Sequence, residues 1–118
     1  MLEASVAISE IARLRVAKAL DEFCERIPPH IRDKLSNHWS IRGNQVTLYE
    51  RRPYWDDPTS CSDRPFARFV YDPGFNSWTL RCFDRNRKTH VYMGFQGVRD
   101  FQKLVDEIRS DPTGIFLG

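Results

Sequence analysis

An α+β domain is what this chain predicts: N-terminal helices, an antiparallel meander of about five strands, and a C-terminal helix packed on one face of the sheet. Three observations predict it. Apolar residues recur at helical spacing before residue 27 and after residue 97, they alternate with a period of two between Trp39 and Tyr92, and Gly, Asn, Asp and Pro punctuate the alternating part at short intervals. The 118 residues fit a single domain, 1–118. A domain of this size hides roughly two-thirds of the surface its unfolded chain would expose, enough for a core without metal or disulfide staples.

Ser9, then Glu10, then Ala12, Val16, Ala19, Leu20, Phe23 and Ile27 at i, i+3, i+4 spacing predict a helix over residues 9–26. Pro28 and Pro29 end it, because a proline ring restricts the residue before it and cannot donate to the helical ladder. Pro29 suits the first position of a second short helix through Leu35, with Ile31 and Leu35 on one side. From Trp39 the period becomes two: Trp39 and Ile41, then Gly43-Asn44, then Val46 and Leu48 predict a hairpin with a tight turn. Arg52 to Pro65 contains three prolines among small polar residues and reads as a long loop. Phe66 to Tyr71, Trp78 to Phe83 and Lys88 to Met93 are the remaining strands, separated by turns at Asp72-Pro73-Gly74 and Asp84-Arg85-Asn86-Arg87. Val98, Phe101, Leu104, Val105 and Ile108 restore helical spacing, and the apolar tail Ile115-Phe116 is expected to dock on the body.

The composition narrows the function. No apolar run approaches the roughly 20 residues needed to cross a bilayer, and the N-terminus lacks the plan of a secretory signal, so a cytoplasmic protein without membrane contact is expected. Cys24, Cys61 and Cys82 are odd in number and widely spaced, which predicts free thiols and no zinc site. His30 and His38 have no ligand spacing with each other or with Cys24, so neither a metal nor any other cofactor is expected. Net charge is only +2, but residues 38–92 contain nine basic groups against six acidic ones, and 12 of the 15 aromatics lie between Trp39 and Phe95. Fourteen of the 18 cations are Arg, whose planar fork pairs with carboxylate or phosphate and stacks on rings.

Two clusters concentrate this chemistry. In Thr47 to Trp55, alternation puts Glu50 on the side of Val46 and Leu48 and turns Arg51 the other way. An inward carboxylate needs a cation, so Glu50 is either a clamp to Arg68 or Arg81, or a perturbed carboxylate in a cleft with Arg51, Arg52 and Trp55. The second cluster, Asp84 to His90, brings Arg85, Arg87, Lys88 and an imidazole to a hairpin, with Lys88, His90 and Tyr92 sharing a face.

Phe23-Cys24-Glu25, Pro28-Pro29-His30-Ile31-Arg32, Arg42-Gly43-x-x-Val46, Glu50-x-Arg52-Pro53-x-Trp55, Lys88-x-His90-x-Tyr92 and Gly114-Ile115-Phe116-Leu117-Gly118, in this order, resemble the bacterial proteins grouped as domain of unknown function family 3024. The resemblance covers nearly the whole chain and implies a bacterial, intracellular, single-domain protein without implying a mechanism. Thr89 departs from it, standing where the family often has tryptophan.

The function expected is a non-enzymatic binding module, in which Glu50, Arg51, Arg52, Arg85, Arg87, Lys88 and His90, with Tyr54 or Trp55 stacking, engage a nucleic acid or an acidic protein. No catalytic residue is assigned under this reading. The alternative is an enzyme acting on a phosphoester or another anionic substrate, with or without a metal, in which Glu50 is base or metal carboxylate, Asp84 a second carboxylate and His90 a proton carrier. Against it, Glu50 is followed two positions on by Arg52 and then Pro53, where small nucleases use a titratable lysine. The apolar tail also suits a structural partner or homo-oligomer.

Overall fold

The computed structural model describes residues 8–26 and 35–117, and within them the order is α1 (Glu10–Glu25), β1 (Ser36–Arg42), β2 (Gln45–Tyr54), β3 (Asp57–Asp72), β4 (Ser77–Phe83), β5 (Thr89–Val91) and α2 (Phe101–Ser110). The short helix expected over residues 29–35 falls outside the described residues, apart from Leu35. All five strands join one sheet in the order β1-β2-β3-β4-β5, each pair antiparallel, so the expected α+β meander is what forms. No helix among the described residues is long and apolar enough to cross a membrane.

Helix α1 starts where Ser9 Oγ accepts the Ala12 backbone N–H at 3.2 Å, answering one of the orphan donors of the first turn. Its buried residues, Val16, Ala19, Leu20 and Phe23, recur at i, i+3, i+4, i+7. Helix α2 is capped by Asp100, which accepts the Gln102 N–H at 3.1 Å, and buries Phe101, Leu104, Val105 and Ile108. Both helices deliver these residues to one core with Val46, Leu48, Ala67, Phe69, Tyr71, Trp78, Leu80 and Cys82 of the sheet. They therefore lie on the same sheet face. Trp39, at the edge of this face, donates its indole N–H to Asp21 of α1 at 2.8 Å, tying the first strand to the helix.

At the β1–β2 hairpin, Gly43 takes φ 61 at the first central position of the turn, as a two-residue hairpin with glycine first requires, and Arg42 pairs with Gln45 across it. At the other end the long loop expected over residues 52–65 is replaced by a ribbon. β2 runs on to Tyr54 and β3 starts at Asp57, with Arg51 opposite Asp63, Arg52 opposite Ser62 and Pro53 opposite Cys61. Prolines are tolerated because β1 ends at Ser36 opposite Arg51 and β4 reaches only as far as Cys82 opposite Ala67. Beyond those points each strand has a partner on one side alone, so a missing outward N–H breaks no ladder. Between Leu48 and Tyr49 the register slips, leaving Phe66 as the extra residue of a bulge next to Pro65. At the tip Asp57 accepts hydrogen bonds from the Thr59 backbone and from the Thr59 and Ser60 hydroxyls, which supplies the turn chemistry that loop composition had suggested.

The fifth strand is shorter than expected, three residues, and Tyr92 beyond it is buried with its hydroxyl donating to Glu107 of α2 at 2.8 Å. In the tail, Phe116 is 2% exposed and packs on Tyr92 with ring centroids 4.8 Å apart, whereas Ile115, also expected to dock, is 49% exposed. Asp111, left-handed at φ 42 after α2, orients this tail by accepting the backbone N–H groups of Phe116 at 3.1 Å and Leu117 at 2.7 Å.

Candidate functional site

Alternation along β2 does place Glu50 on the helix-facing side, and its partners decide what it is. Its carboxylate accepts the Arg52 Nε at 2.8 Å and lies 3.8 Å from Arg64 Nη2, leaving the side chain 18% exposed. The cations expected to clamp it, Arg68 and Arg81, are on the opposite face: Arg68 Nε donates to Thr47 Oγ1 at 3.2 Å and Arg81 Nε to Thr89 Oγ1 at 2.9 Å. The physical reason is register. Arg64 is the direct partner of Glu50 across β2 and β3, and Arg52 follows it by two on the same strand face. Glu50 borders a cleft of about 320 Å³ walled by Phe23, Phe66 and Phe116.

Arg51 turns away, as expected, and pairs bidentately with Asp63 at 2.8 and 3.2 Å. Hydrogen bonding to Arg51 holds the Asp63 carboxyl below its usual range. Tyr54 is exposed on the ribbon and Trp55, at its tip between the end of β2 and the acidic Asp56, is 93% exposed. Arg85, Arg87 and Lys88 are all exposed on the β4–β5 turn, at the same end of the sheet as the ribbon's base. Asp84 organises that turn by accepting the backbone N–H groups of Asn86 at 2.8 Å and Lys88 at 3.0 Å, and it pairs with His90 at 2.8 Å. The bond to His90 and those two backbone donors depress the Asp84 pKa. Tyr92 is buried while Lys88 and His90 are exposed, so the expected strip of three does not form.

The nine expected residues are thus not one cluster. Glu50 and Arg52 are on the helix-facing side, Arg51 is on the other, Tyr54 and Trp55 are out on the ribbon, and the basic turn follows β4, with β3 between it and the strand of Glu50. Among the described residues no three of His, Cys, Asp and Glu are grouped as metal ligands would be. Cys24 is half-buried and its thiol is pushed up to about 11, mainly by burial and further by Asp21 and Glu25, which keeps it protonated at neutral pH.

What the structure does assemble is the sheet face that, among the described residues, neither helix covers. Thr47, Arg68, Arg81 and Val91 follow one another across β2 to β5 as direct partners. In the next row His38 opposes Tyr49 with rings stacked at 5.7 Å, and Arg51 lies over the Tyr49 ring at 5.7 Å. Phe83, at the end of β4, has the Arg68 guanidinium over its ring at 5.1 Å. Tyr49, Arg68, Arg81, Phe83 and His38 are all partly exposed. Burial lowers the His38 pKa, with Arg51 adding to the effect and Asp63 opposing it.

Arg68 and Arg81 are the informative pair. Like charges directly opposite on neighbouring strands destabilise a sheet. Neither guanidinium has a carboxylate partner among the described residues, only the neutral oxygens of Thr47 and Thr89. The sequence contains one signal for them: extending the side assignment of Tyr49 and Arg51 across the following strands selects Arg68 and Arg81, but only once the register is known.

Fold and face together define an α+β module in which two helices cover one side of an open meander and leave an arginine and aromatic surface on the other. The chain belongs to the family described as domain of unknown function DUF3024, whose model matches residues 8–118. No curated protein and no solved structure matches the chain.

Proposed function

We propose that this protein is a non-enzymatic binding module that lays a single-stranded nucleic acid across the uncovered sheet face. The observation that supports it best is the directly opposed Arg68–Arg81 pair, without acidic partners among the described residues and flanked by the Tyr49 and Phe83 rings. Two unneutralised guanidiniums on adjacent strands match the spacing problem a phosphodiester backbone solves, and partly exposed rings beside them are stacking platforms that any base can use. The basic turn Arg85, Arg87 and Lys88 extends the same positive track past the end of β4. A nucleic acid is favoured over an acidic protein because the cations are interleaved with aromatic faces, and stacking on them rewards bases where carboxylates would gain nothing.

The test is fluorescence anisotropy with a labelled single-stranded oligonucleotide of roughly ten residues, a length within the range of small binding folds, titrated at several salt concentrations. Affinity should fall with salt, and Arg68→Ala or Arg81→Ala should each reduce the slope by about 0.7, the value for one lost phosphate contact on a single strand. Tyr49→Ala and Phe83→Ala should each cost about 1–3 kcal/mol, or roughly 5- to 150-fold. Lys103→Ala, on α2, should change nothing. Absence of salt-dependent binding overturns the proposal; polyglutamate binding as tightly as the oligonucleotide, with no effect of the ring substitutions, assigns the face to an acidic protein.

A further inference from the structure

The ribbon tip has a different chemistry from the open face. Trp55 is 93% exposed, a large apolar surface held out in water at the end of a paired two-stranded arm. Isolated exposed apolar residues are ordinary, but a tryptophan this fully presented on an ordered element has the form of an anchor residue, the type that dominates interface energetics. Its neighbours are Asp56 and Asp57, both exposed, so the tip is acidic and repels a phosphate backbone. Hydrogen bonds from Thr59 and Ser60 depress the Asp57 pKa and keep it charged.

At the opposite end of the molecule lies a groove of about 750 Å³ between the start of α1, the start of α2 and the β3–β4 turn. Its floor includes Ala12, Trp78 and Phe101, and Arg15, Lys18 and Arg99 line it. Two carboxylates also line it, Glu22 and Asp100, of which Asp100 is committed to capping α2. The groove is therefore apolar with a net positive border, complementary to an indole flanked by two carboxylates. The tip cannot reach its own groove. β3 spans 16 residues from the tip to the turn, roughly 50 Å at about 3.3 Å per residue, so the twisted strand runs the whole 46 Å length of the molecule.

We infer that the Trp55 tip of one copy docks in the α1–α2 groove of a second copy. With tip and groove at opposite ends, two molecules side by side and antiparallel satisfy both contacts at once, giving a closed dimer instead of an open chain. The inference does not rest on the nucleic-acid reading, since tip and groove share no residue with the open face.

Sedimentation velocity and light scattering on the full chain test it. The expected mass is twice 13.9 kDa, falling to 13.9 kDa in Trp55→Ala and in Arg15→Glu/Lys18→Glu, with unchanged far-UV circular dichroism. Mixing the two variants should restore a dimer, because one retains its groove and the other its tip. If the groove variant misfolds, Asp56→Lys, on the exposed tip and outside the Asp57 hydrogen bonds that shape the turn, tests the same charge complementarity from the other side. A wild-type monomer at sub-millimolar concentration overturns the inference. So does a dimer that Trp55→Ala leaves intact, and so does a Trp55→Ala effect on oligonucleotide affinity without a change in mass.

Discussion

Arg87 is a strained residue at the surface. It holds φ 63 in the β4–β5 turn, a left-handed conformation that costs an L-residue roughly 1 kcal/mol and that glycine adopts freely. Its side chain is exposed, so nothing in the core explains the choice of arginine. Arg87→Gly should therefore raise stability by roughly 0.5–1 kcal/mol in a urea melt while weakening oligonucleotide binding. A variant less stable than the parent would contradict the first half. His38 supplies a second test at this scale. Burial and Arg51 disfavour its charged form in the folded state, so its folded pKa lies below the ordinary value of about 6.5. The sign follows: above about 6.5 both states are neutral and His38 has no effect, and as pH falls from there through the folded pKa the unfolded state takes up the proton first. Stability should decline over that window in the parent and decline less in His38→Gln, with the imidazole titration followed by NMR.

At the scale of elements, the ribbon is the part whose local chemistry misleads. Pro53, Pro58 and Pro65 with small polar residues satisfy every local rule for a loop. Pro53 and Pro65 nonetheless pair, because the ribbon projects past its neighbours, where an outward N–H is not needed, and because the bulge at Phe66 absorbs the change of register. Its ion pairs do little for stability. The Arg51–Asp63 bridge has both side chains more than a third exposed, so Asp63→Asn should lower stability by less than about 1 kcal/mol despite the bidentate geometry. Hydrogen exchange should separate the ribbon from the sheet: amides of residues 52–62, paired on one side only, exchange faster than those of residues 67–70, which are paired on both. Equal protection would mean that the arm is covered along its edges.

For the whole molecule, the C-terminal tail closes the helix-side core. Phe116 packs on Tyr92, Tyr92 is bonded to Glu107 of α2, and Asp111 fixes the tail's backbone. Phe116→Ala should cost about 3 kcal/mol in chemical denaturation, within the usual range for a buried ring, whereas Ile115→Ala should stay within about 0.5 kcal/mol, as surface substitutions do. A large loss at Ile115 would show that its half-exposed side chain is covered by another molecule.

Much of this was legible along the chain. Helical spacing located α1 and α2, alternation located β1, β2, β3 and β4, and the side assignments of Glu50 and Arg51 followed from a period of two. These features are local: a helix or strand must put its apolar residues on one face, and the spacing records which residues those are. What only the tertiary structure decided is which strand stands beside which, and at what register. That pairing set Arg64, instead of Arg68 or Arg81, across from Glu50, turned a proline-rich loop into an arm, and aligned Arg68 with Arg81 beside Tyr49 and Phe83. Contacts between residues far apart in sequence depend on one-residue shifts in register, and a bulge such as the one at Phe66 reassigns every partner beyond it, which no local periodicity encodes.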